Sequence, residues 1–462
     1  MAVFKFVDRE MELEGLRKLW DSGKAEMLIL YGRRRVGKTE LLRRFCNGKR
    51  SLYFLAAQMR DVDNLRGITQ AMRLAFDDPL LSTVSFEGWD GVLEYLARKG
   101  KDDRLAVVLD EFQYLCEDNP ALPSIIQRFW DTQGRETKLF LILCGSYISF
   151  MEREVLGERS PLFGRRTAQL RLMPMNYRDA TLFFSSFTPR QRMIIYGILG
   201  GMPGYLVRFS REKGIRENII DEMLNVQGYL HDEVNFLLRS ELREPRVYAS
   251  LLSAIASGCT RQSEIANRVG MNLTSVNKYL GVLMELGLVE RRRPMHPSTR
   301  KRGIYVIADN YVRFWFRFVS PYLSLIEAGE EELVYDRFIK PQLDNFMGAA
   351  FEDICRQYLR FYWRERFDTP IKSVGGYWDG FCEIDIVAEC VDGSHVIGEC
   401  KWSRRPIGAE VGEELISKSG LLPSSLQIGM RYVIFSAGGF RDDLIEFAEE
   451  KGITLISLGE MF

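Results

Sequence analysis

Histidine is scarce in this 462-residue chain: only His231, His296 and His395 occur, and no two stand at ligand spacing. That argues against a histidine-built zinc site and against a histidine-dependent nucleophile triad. Net charge is missing too, with 63 Lys and Arg against 63 Asp and Glu. Any nucleic-acid binding must therefore come from local basic patches rather than from a global positive field. The cysteines Cys46, Cys116, Cys144, Cys259, Cys355, Cys382, Cys390 and Cys400 include no C-x-x-C pair, and most sit in apolar runs. They read as reduced core residues of a cytoplasmic protein. No apolar run approaches bilayer length, and the opening residues Met1-Ala2-Val3-Phe4-Lys5 lack a signal-peptide layout, so no membrane location is expected. Repeats and low-complexity tracts are absent as well.

Against these absences stands one dense motif, Gly32-Arg33-Arg34-Arg35-Val36-Gly37-Lys38-Thr39, followed by Glu40. It fits the phosphate-binding pattern G-x-x-x-x-G-K-[ST] and lies between an apolar strand-like run and a helix-like run. Glycines let consecutive backbone N–H groups curl around phosphate oxygens, and the helix N-terminus that follows adds a favourable dipole. Lys38 would reach the β- and γ-phosphates, and Thr39 would hold Mg²⁺ through its hydroxyl.

The rest of the first third alternates strand-like stretches (27–31, 51–56, 105–109, 138–144) with helical ones, which predicts an α/β layer around a parallel sheet. From about residue 171 the pattern turns helical, with Asn176 as a cap and Gly200-Gly201 as a stop, as in a small helical lid. Residues 247–308 read as helix, helix-turn-helix and hairpin, a winged-helix pattern with Val276, Leu280, Leu283 and Leu286 at core spacing. The aromatic-rich helix 309–318 reads as inter-domain core rather than a stacking platform, and as a hinge between modules. A long helix over 343–364 and a compact α/β module complete the chain. The expected division is 1–172 P-loop core, 173–245 helical lid, 246–320 winged helix and 321–462 C-terminal α/β module.

Leu105-Ala106-Val107-Val108-Leu109-Asp110-Glu111 is an apolar strand ending in two carboxylates. Asp110 would organise the Mg²⁺ shell, and Glu111 would polarise the attacking water. Ser146, ending the next strand, is placed to contact the γ-phosphate or the water. Arg165 and Arg166 are candidates for an arginine that stabilises transition-state charge, in cis or from a second copy in a homo-oligomer.

With these residues in hand, the chain resembles prokaryotic, mainly archaeal, P-loop ATPases close to the AAA+ and STAND classes. The matching segments are Phe6-Val7-Asp8-Arg9-Glu10-Met11-Glu12-Leu13, the P-loop, Leu109-Asp110-Glu111-Phe112-Gln113, Gly145-Ser146, Leu162-Phe163-Gly164-Arg165-Arg166 and Gly200-Gly201-Met202-Pro203-Gly204-Tyr205-Leu206. The resemblance implies ATP as the nucleotide; no N-K-x-D motif specifies guanine.

A second constellation lies near the C-terminus. Asp385, within Glu383-Ile384-Asp385-Ile386-Val387, followed by Glu399-Cys400-Lys401, resembles the D…E-x-K arrangement of PD-(D/E)xK nucleases. Glu399 and Lys401 share one face of a strand. Asp385 joins them only if the hairpin loop is odd, and a three-residue loop Asp392-Gly393-Ser394 would oppose Asp385 to Lys401. In that resemblance Asp385 and Glu399 bind Mg²⁺ or Mn²⁺ with the Cys400 carbonyl, Lys401 orients water or stabilises phosphate charge, and Glu352 corresponds to the first acidic residue. Ile384 stands where the nominal motif has proline. Cys400-Lys401-Trp402-Ser403 also resembles the C-terminal domain that often accompanies these ATPases.

Thr274, Ser275, Asn277 and Lys278 on the second helix of the pair suit base edges, and Arg291, Arg292, Arg293, Arg300, Lys301 and Arg302 on the wing suit phosphates. The expectation is an ATP-regulated DNA-processing enzyme with a metal-dependent nuclease-like tail. Its alternatives are a STAND-like signalling or scaffold switch with an inert tail, and a translocating motor.

Overall fold

Short apolar runs separated by helices build a parallel sheet: β1 (Glu26–Tyr31), β2 (Ser51–Leu55), β3 (Leu105–Asp110), β4 (Leu139–Gly145) and β5 (Ala168–Arg171), in the spatial order β2-β3-β4-β1-β5. In this computed structural model the described residues are 7–78, 81, 86–296 and 303–462, and they fall into two compact units that divide between Pro174 and Met175. β1, β3 and β4 are buried at every position, as strands covered on both faces by helices must be. β5 was not expected; its four residues, Ala-Gln-Leu-Arg, are mostly half-exposed and carry no continuous apolar signal.

The order of the strands positions the chemistry. Parallel strands deliver their C-terminal ends to one edge, so Gly32, Glu111 and Ser146 all follow strands that end there. Because β4 lies between β1 and β3, Ser146 emerges between the P-loop and the acidic pair.

The second unit begins with helices. Asn176 caps Tyr177–Thr181 by accepting from the Asp179 N–H, and Pro189–Leu199 stops at Gly200, which has φ 65°. Pro245–Ala256, Gln262–Val269 and Leu273–Glu285 precede the antiparallel pair β6 (Val289–Arg292) and β7 (Ile304–Ile307), the winged-helix order. Val276, Leu280, Leu283 and Leu286 are buried. The wing residues Arg300, Lys301 and Arg302 lie outside the described residues, as does Phe6.

The hinge expected at 309–318 is corrected. Asn310–Phe318 is core of this unit, with Tyr311, Val312, Phe314, Trp315, Phe316 and Phe318 buried, and Trp315 Nε1 donates to the His231 carbonyl at 2.7 Å. An aromatic helix with so little exposed surface cannot serve as a linker.

The chain ends in a mixed sheet of β8 (Ile371–Trp378), β9 (Glu383–Cys390), β10 (His395–Lys401), β11 (Arg431–Ser436) and β12 (Ile453–Ser457), ordered β12-β11-β10-β9-β8. β8, β9 and β10 pair antiparallel, and β10, β11 and β12 pair parallel. The helix Leu343–Tyr362 packs on it, and Ala409–Ser419 closes the apolar cluster formed by Ile384, Val387, Ile397, Leu415 and Ile434. Among the described residues no helix is long and apolar enough to cross a membrane.

Candidate functional site

The P-loop joins β1 to the helix Lys38–Cys46, which buries Leu41, Leu42 and Phe45 against the sheet. Gly37 has φ 97° and no side-chain cap, so the first-turn N–H groups of this helix are left for an anion. Lys38 is buried and donates to the loop's own carbonyls, Gly32 at 2.8 Å and Arg33 at 3.0 Å. Arg33 and Val36 are buried, Arg34 reaches the Tyr114 hydroxyl, Arg35 has φ 68°, and Glu40 faces outward. Arg9, quoted above only for its motif, clamps the loop: its Nη2 donates to the Val36 carbonyl at 3.1 Å and to Met173 at 2.8 Å.

At Gly32 a Cβ would come within 2.5 Å of the Leu172 carbonyl oxygen. Gly32→Ala is therefore expected to destabilise the protein by about 1–3 kcal/mol. Gly15→Ala, in the helix Glu10–Asp21 where an added Cβ meets nothing within 4 Å, should be neutral or stabilising. Chemical denaturation midpoints of the two variants check this contrast.

Asp110 is 1% exposed and is gripped from three directions. Thr39 Oγ1 donates to its Oδ2 at 2.9 Å, the Tyr53 hydroxyl donates to the same oxygen, and the Glu111 N–H donates to Oδ1 at 3.0 Å. Burial, then the charge of Asp110, pushes the Tyr53 phenol well above its ordinary range, so it stays a neutral donor. Glu111 holds a left-handed backbone, φ 55°, a strained conformation for a non-glycine residue. Its carboxylate accepts from Ser146 Oγ at 2.6 Å and from Gln113 Nε2, which also donates to Ser146 at 3.3 Å. Ser146 is thus engaged with Glu111. Tyr53 stands in no recognisable spacing from the motifs, and Gln113, though part of the matching segment Leu109-Asp110-Glu111-Phe112-Gln113, carried no expected role.

Of the two arginine candidates, Arg165 is held away from the P-loop residues of its own chain. Asp131 holds it in an ion pair of 3.0 Å, its Nη1 donates to the Phe163 carbonyl at 3.1 Å, and no hydrogen bond joins it to the Lys38, Asp110 and Glu111 group. Arg166 is half-buried with its Nη1 lacking a hydrogen-bond partner, and its charge acts on Tyr31, the residue before Gly32.

In the second unit the hairpin loop is odd, but one residue earlier than expected. The Cys390 N–H donates to the Ser394 carbonyl at 2.8 Å, so the loop is Val391-Asp392-Gly393, with Gly393 at φ 82°. Asp392 fixes it by accepting from the Ser394 N–H at 2.9 Å and from Ser394 Oγ at 2.6 Å. Moving the loop by one residue shifts the register by two, which preserves the face. The last ladder pair is Gly398 with Ile386, so the register carries Asp385 opposite Glu399 rather than Lys401. There the ladder gives way to a side-chain bond, the Cys400 N–H donating to Asp385 Oδ2 at 2.8 Å.

Asp385, Glu399 and Lys401 are thereby brought together, and Glu352 faces them from the helix Leu343–Tyr362. Lys401 Nζ lies 2.6 Å from Glu399 Oε1, and Lys418, which the motif search missed, lies 3.9 Å from the same oxygen. Arg356 spans the cluster, donating to Glu352 at 2.9 Å, to Asp353 at 2.8 Å and to the Asp385 carbonyl at 2.9 Å. Burial is the leading cause that raises the Asp385 and Glu399 carboxyls, with the charge of Asp385 adding to the rise at Glu399. Glu399 is 5% exposed, yet its Oε2 has no hydrogen-bond partner. Among the described residues no three His, Cys, Asp or Glu side chains form a ready-made cation cage. The residues that would hold a divalent ion are Asp385 and Glu399, and the orphaned Oε2 beside a second carboxylate fits one.

Burial, then the Asp385 charge, pushes Glu352 up to about 7 from its ordinary 4.5. The fold favours its neutral form, so the stability it contributes is whole below about pH 4.5 and is lost as pH rises through about 7. In metal-free buffer, Glu352→Gln should flatten a decline of up to about 1.4 kcal/mol per pH unit across that window. Denaturation midpoints measured along the window read the difference.

On the winged helix, Thr274, Asn277, Lys278, Arg291 and Arg293 are exposed and Ser275 is half-buried. Arg292 is corrected: it is tied to Glu290 and, at 2.8 Å, to Asp353, and so is not free for phosphate.

Residues 6–209 match the family model of an ATPase domain predominantly from Archaea, residues 249–293 match the IclR helix-turn-helix domain, and residues 315–411 match a family of archaeal and bacterial proteins of unknown function. The uncharacterized protein MJECL04 of Methanocaldococcus jannaschii is 32% identical over 404 residues, 86% of this chain and 87% of that protein. The uncharacterized ATP-binding protein MJ0423 of the same organism is 50% identical over 49 residues, 11% of this chain and 83% of its own length. Among solved structures, the Walker-type ATPase PABY2304 of Pyrococcus abyssi superposes with a TM-score of 0.52 at 21% identity, over 68% of this chain and 96% of that one, a likeness of fold.

Proposed function

Because the chain belongs to one family with MJECL04 of Methanocaldococcus jannaschii and its residues 6–209 match an ATPase domain predominantly from Archaea, we propose that it binds and hydrolyses ATP and that nucleotide state controls a DNA-processing module at its C-terminal end. On ATP binding, Lys38 exchanges the Gly32 and Arg33 carbonyls for the β- and γ-phosphate oxygens, while the uncapped helix N-terminus receives the phosphates. Thr39 and Asp110 are the residues that would hold the Mg²⁺ accompanying the nucleotide, which supplies charge neutralisation. Glu111 takes a proton from the attacking water, and Ser146 and Gln113 position its carboxylate. Arg166 supplies positive charge as the γ-phosphoryl group departs.

In the C-terminal module, Asp385 and Glu399 would hold Mg²⁺ or Mn²⁺, which supplies Lewis acidity toward a phosphodiester. Lys401 orients the attacking water or stabilises charge on the phosphate, and Glu352 stands ready as a proton carrier. DNA reaches the module through the exposed Thr274, Asn277 and Lys278 and the wing cations Arg291 and Arg293.

The observation that carries this reading is the meeting of Asp385, Glu399 and Lys401 on one sheet face with a buried, unpartnered Glu399 oxygen. The test is incubation of the full chain with single-stranded, duplex and branched DNA and with RNA, in Mg²⁺ or Mn²⁺, with and without ATP. Metal-dependent cleavage of at least one DNA is the expected result. A chain that turns over ATP but cuts nothing under any of these conditions is an ATP switch with an inert tail.

A further inference from the structure

A cleft of about 270 Å³ in the second unit is lined by residues of β7, of the helix Asn310–Phe318 and of the helix Leu343–Tyr362. Neither centre described above uses it. Its wall carries Arg292, Arg313 and Arg317 together with the rings of Tyr305 and Phe346.

Guanidinium groups that line one cavity repel one another unless opposite charge answers them. Here the answering charge falls short. Asp353 serves Arg292 at 2.8 Å and Arg356 at 2.8 Å, and reaches Arg313 only at 3.5 Å. Arg292 has a second carboxylate in Glu290, and Arg356 has one in Glu352. Among the described residues Arg313 has no second carboxylate at ion-pair distance, only the more distant charge of Glu290; its other hydrogen bond goes to the Asn310 amide oxygen at 3.0 Å, and its Nε is buried with no hydrogen-bond partner. Arg317, exposed at the mouth, donates to a neutral group, Gln342 Oε1, at 3.0 Å. The Phe346 ring centroid lies 5.2 Å from the Arg313 guanidinium, so an apolar surface adjoins the surplus cations.

We propose that this cleft binds a small organic anion: a phosphate or carboxylate head met by Arg313 and Arg317, carried on a ring or apolar body that packs beside Phe346 and Tyr305. Small-molecule pockets start near about 300 Å³, so the occupant is the size of an aromatic acid or a simple monophosphate and not of a dinucleotide. The site is separate from the P-loop and does not depend on the C-terminal module cutting DNA.

The experiment is isothermal titration of the full chain, in a Lys38→Ala background that silences the P-loop, with phenyl phosphate, benzoate and inorganic phosphate. One of the two ring-bearing anions should bind at least tenfold more tightly than inorganic phosphate, and whichever is preferred identifies the head group as phosphate or carboxylate. Arg317→Ala should weaken that binding at least tenfold. Ala349→Trp, at an exposed position on the rim, should abolish it without altering any charge. Both variants should keep the parent melting temperature without ligand. No binding of any probe, inorganic phosphate binding as tightly as both ring-bearing anions, or affinities unchanged in both variants would overturn the proposal.

Discussion

Lys38→Ala is expected to reduce ATP affinity and turnover by at least a hundredfold while leaving the melting temperature of the nucleotide-free protein nearly unchanged. In the free protein Lys38 holds only the carbonyls of Gly32 and Arg33, bonds that a water can replace. In the proposed reading, its charge would face phosphate oxygens once ATP is bound, and such a charge-assisted bond is much stronger. Glu111→Gln should behave differently: nucleotide binds normally and hydrolysis falls about 10²–10⁴-fold, because only proton transfer is removed. Nucleotide binding by fluorescence and phosphate release under saturating ATP separate the two variants. Equal loss of binding in both would mean that Glu111 shapes the pocket and does not act on water.

The second large effect concerns the C-terminal cluster. Lys401→Ala should remove metal-dependent cleavage and spare ATP turnover, since Lys401 belongs to the other unit. It also leaves Glu399 with Lys418 as its remaining cation, 3.9 Å away. Asp385→Asn should likewise abolish cleavage while keeping the bond from the Cys400 N–H, because the amide oxygen still accepts. Loss of cleavage with a retained melting transition is the expected pattern in both. Cleavage that survives either change would place the scissile chemistry elsewhere.

Much of this was legible because the motifs lie on strongly patterned elements. β1, β3 and β4 are continuous apolar runs, and the acidic, glycine and lysine residues sit where those runs stop, so both element and site follow from local sequence. The winged helix was similarly readable from the spacing of Val276, Leu280 and Leu283. What escaped depends on long-range partners. Arg292 looked like a wing cation, but Asp353, 61 positions later, binds it, and no local pattern announces such a pairing. Arg165 and Arg166 are neighbours in sequence and part company only because Asp131 captures the first. The hairpin loop was displaced by one residue because Ser394 can end a loop or begin a strand. Hydrogen bonding between Cys390 and Ser394 closes the loop at Gly393, one residue before Ser394 leads into β10. β5 lacked the apolar content that made its neighbours visible.

The claim that joins both centres is that the P-loop controls the C-terminal chemistry, and the rate of metal-dependent DNA cleavage as a function of nucleotide tests it most directly. With wild type, the cleavage rate should change at least tenfold between nucleotide-free and ATP-bound protein, and the Lys38→Ala variant should be locked at the nucleotide-free rate whatever the ATP concentration. Cleavage that is identical with and without ATP, and identical in wild type and Lys38→Ala, would contradict it.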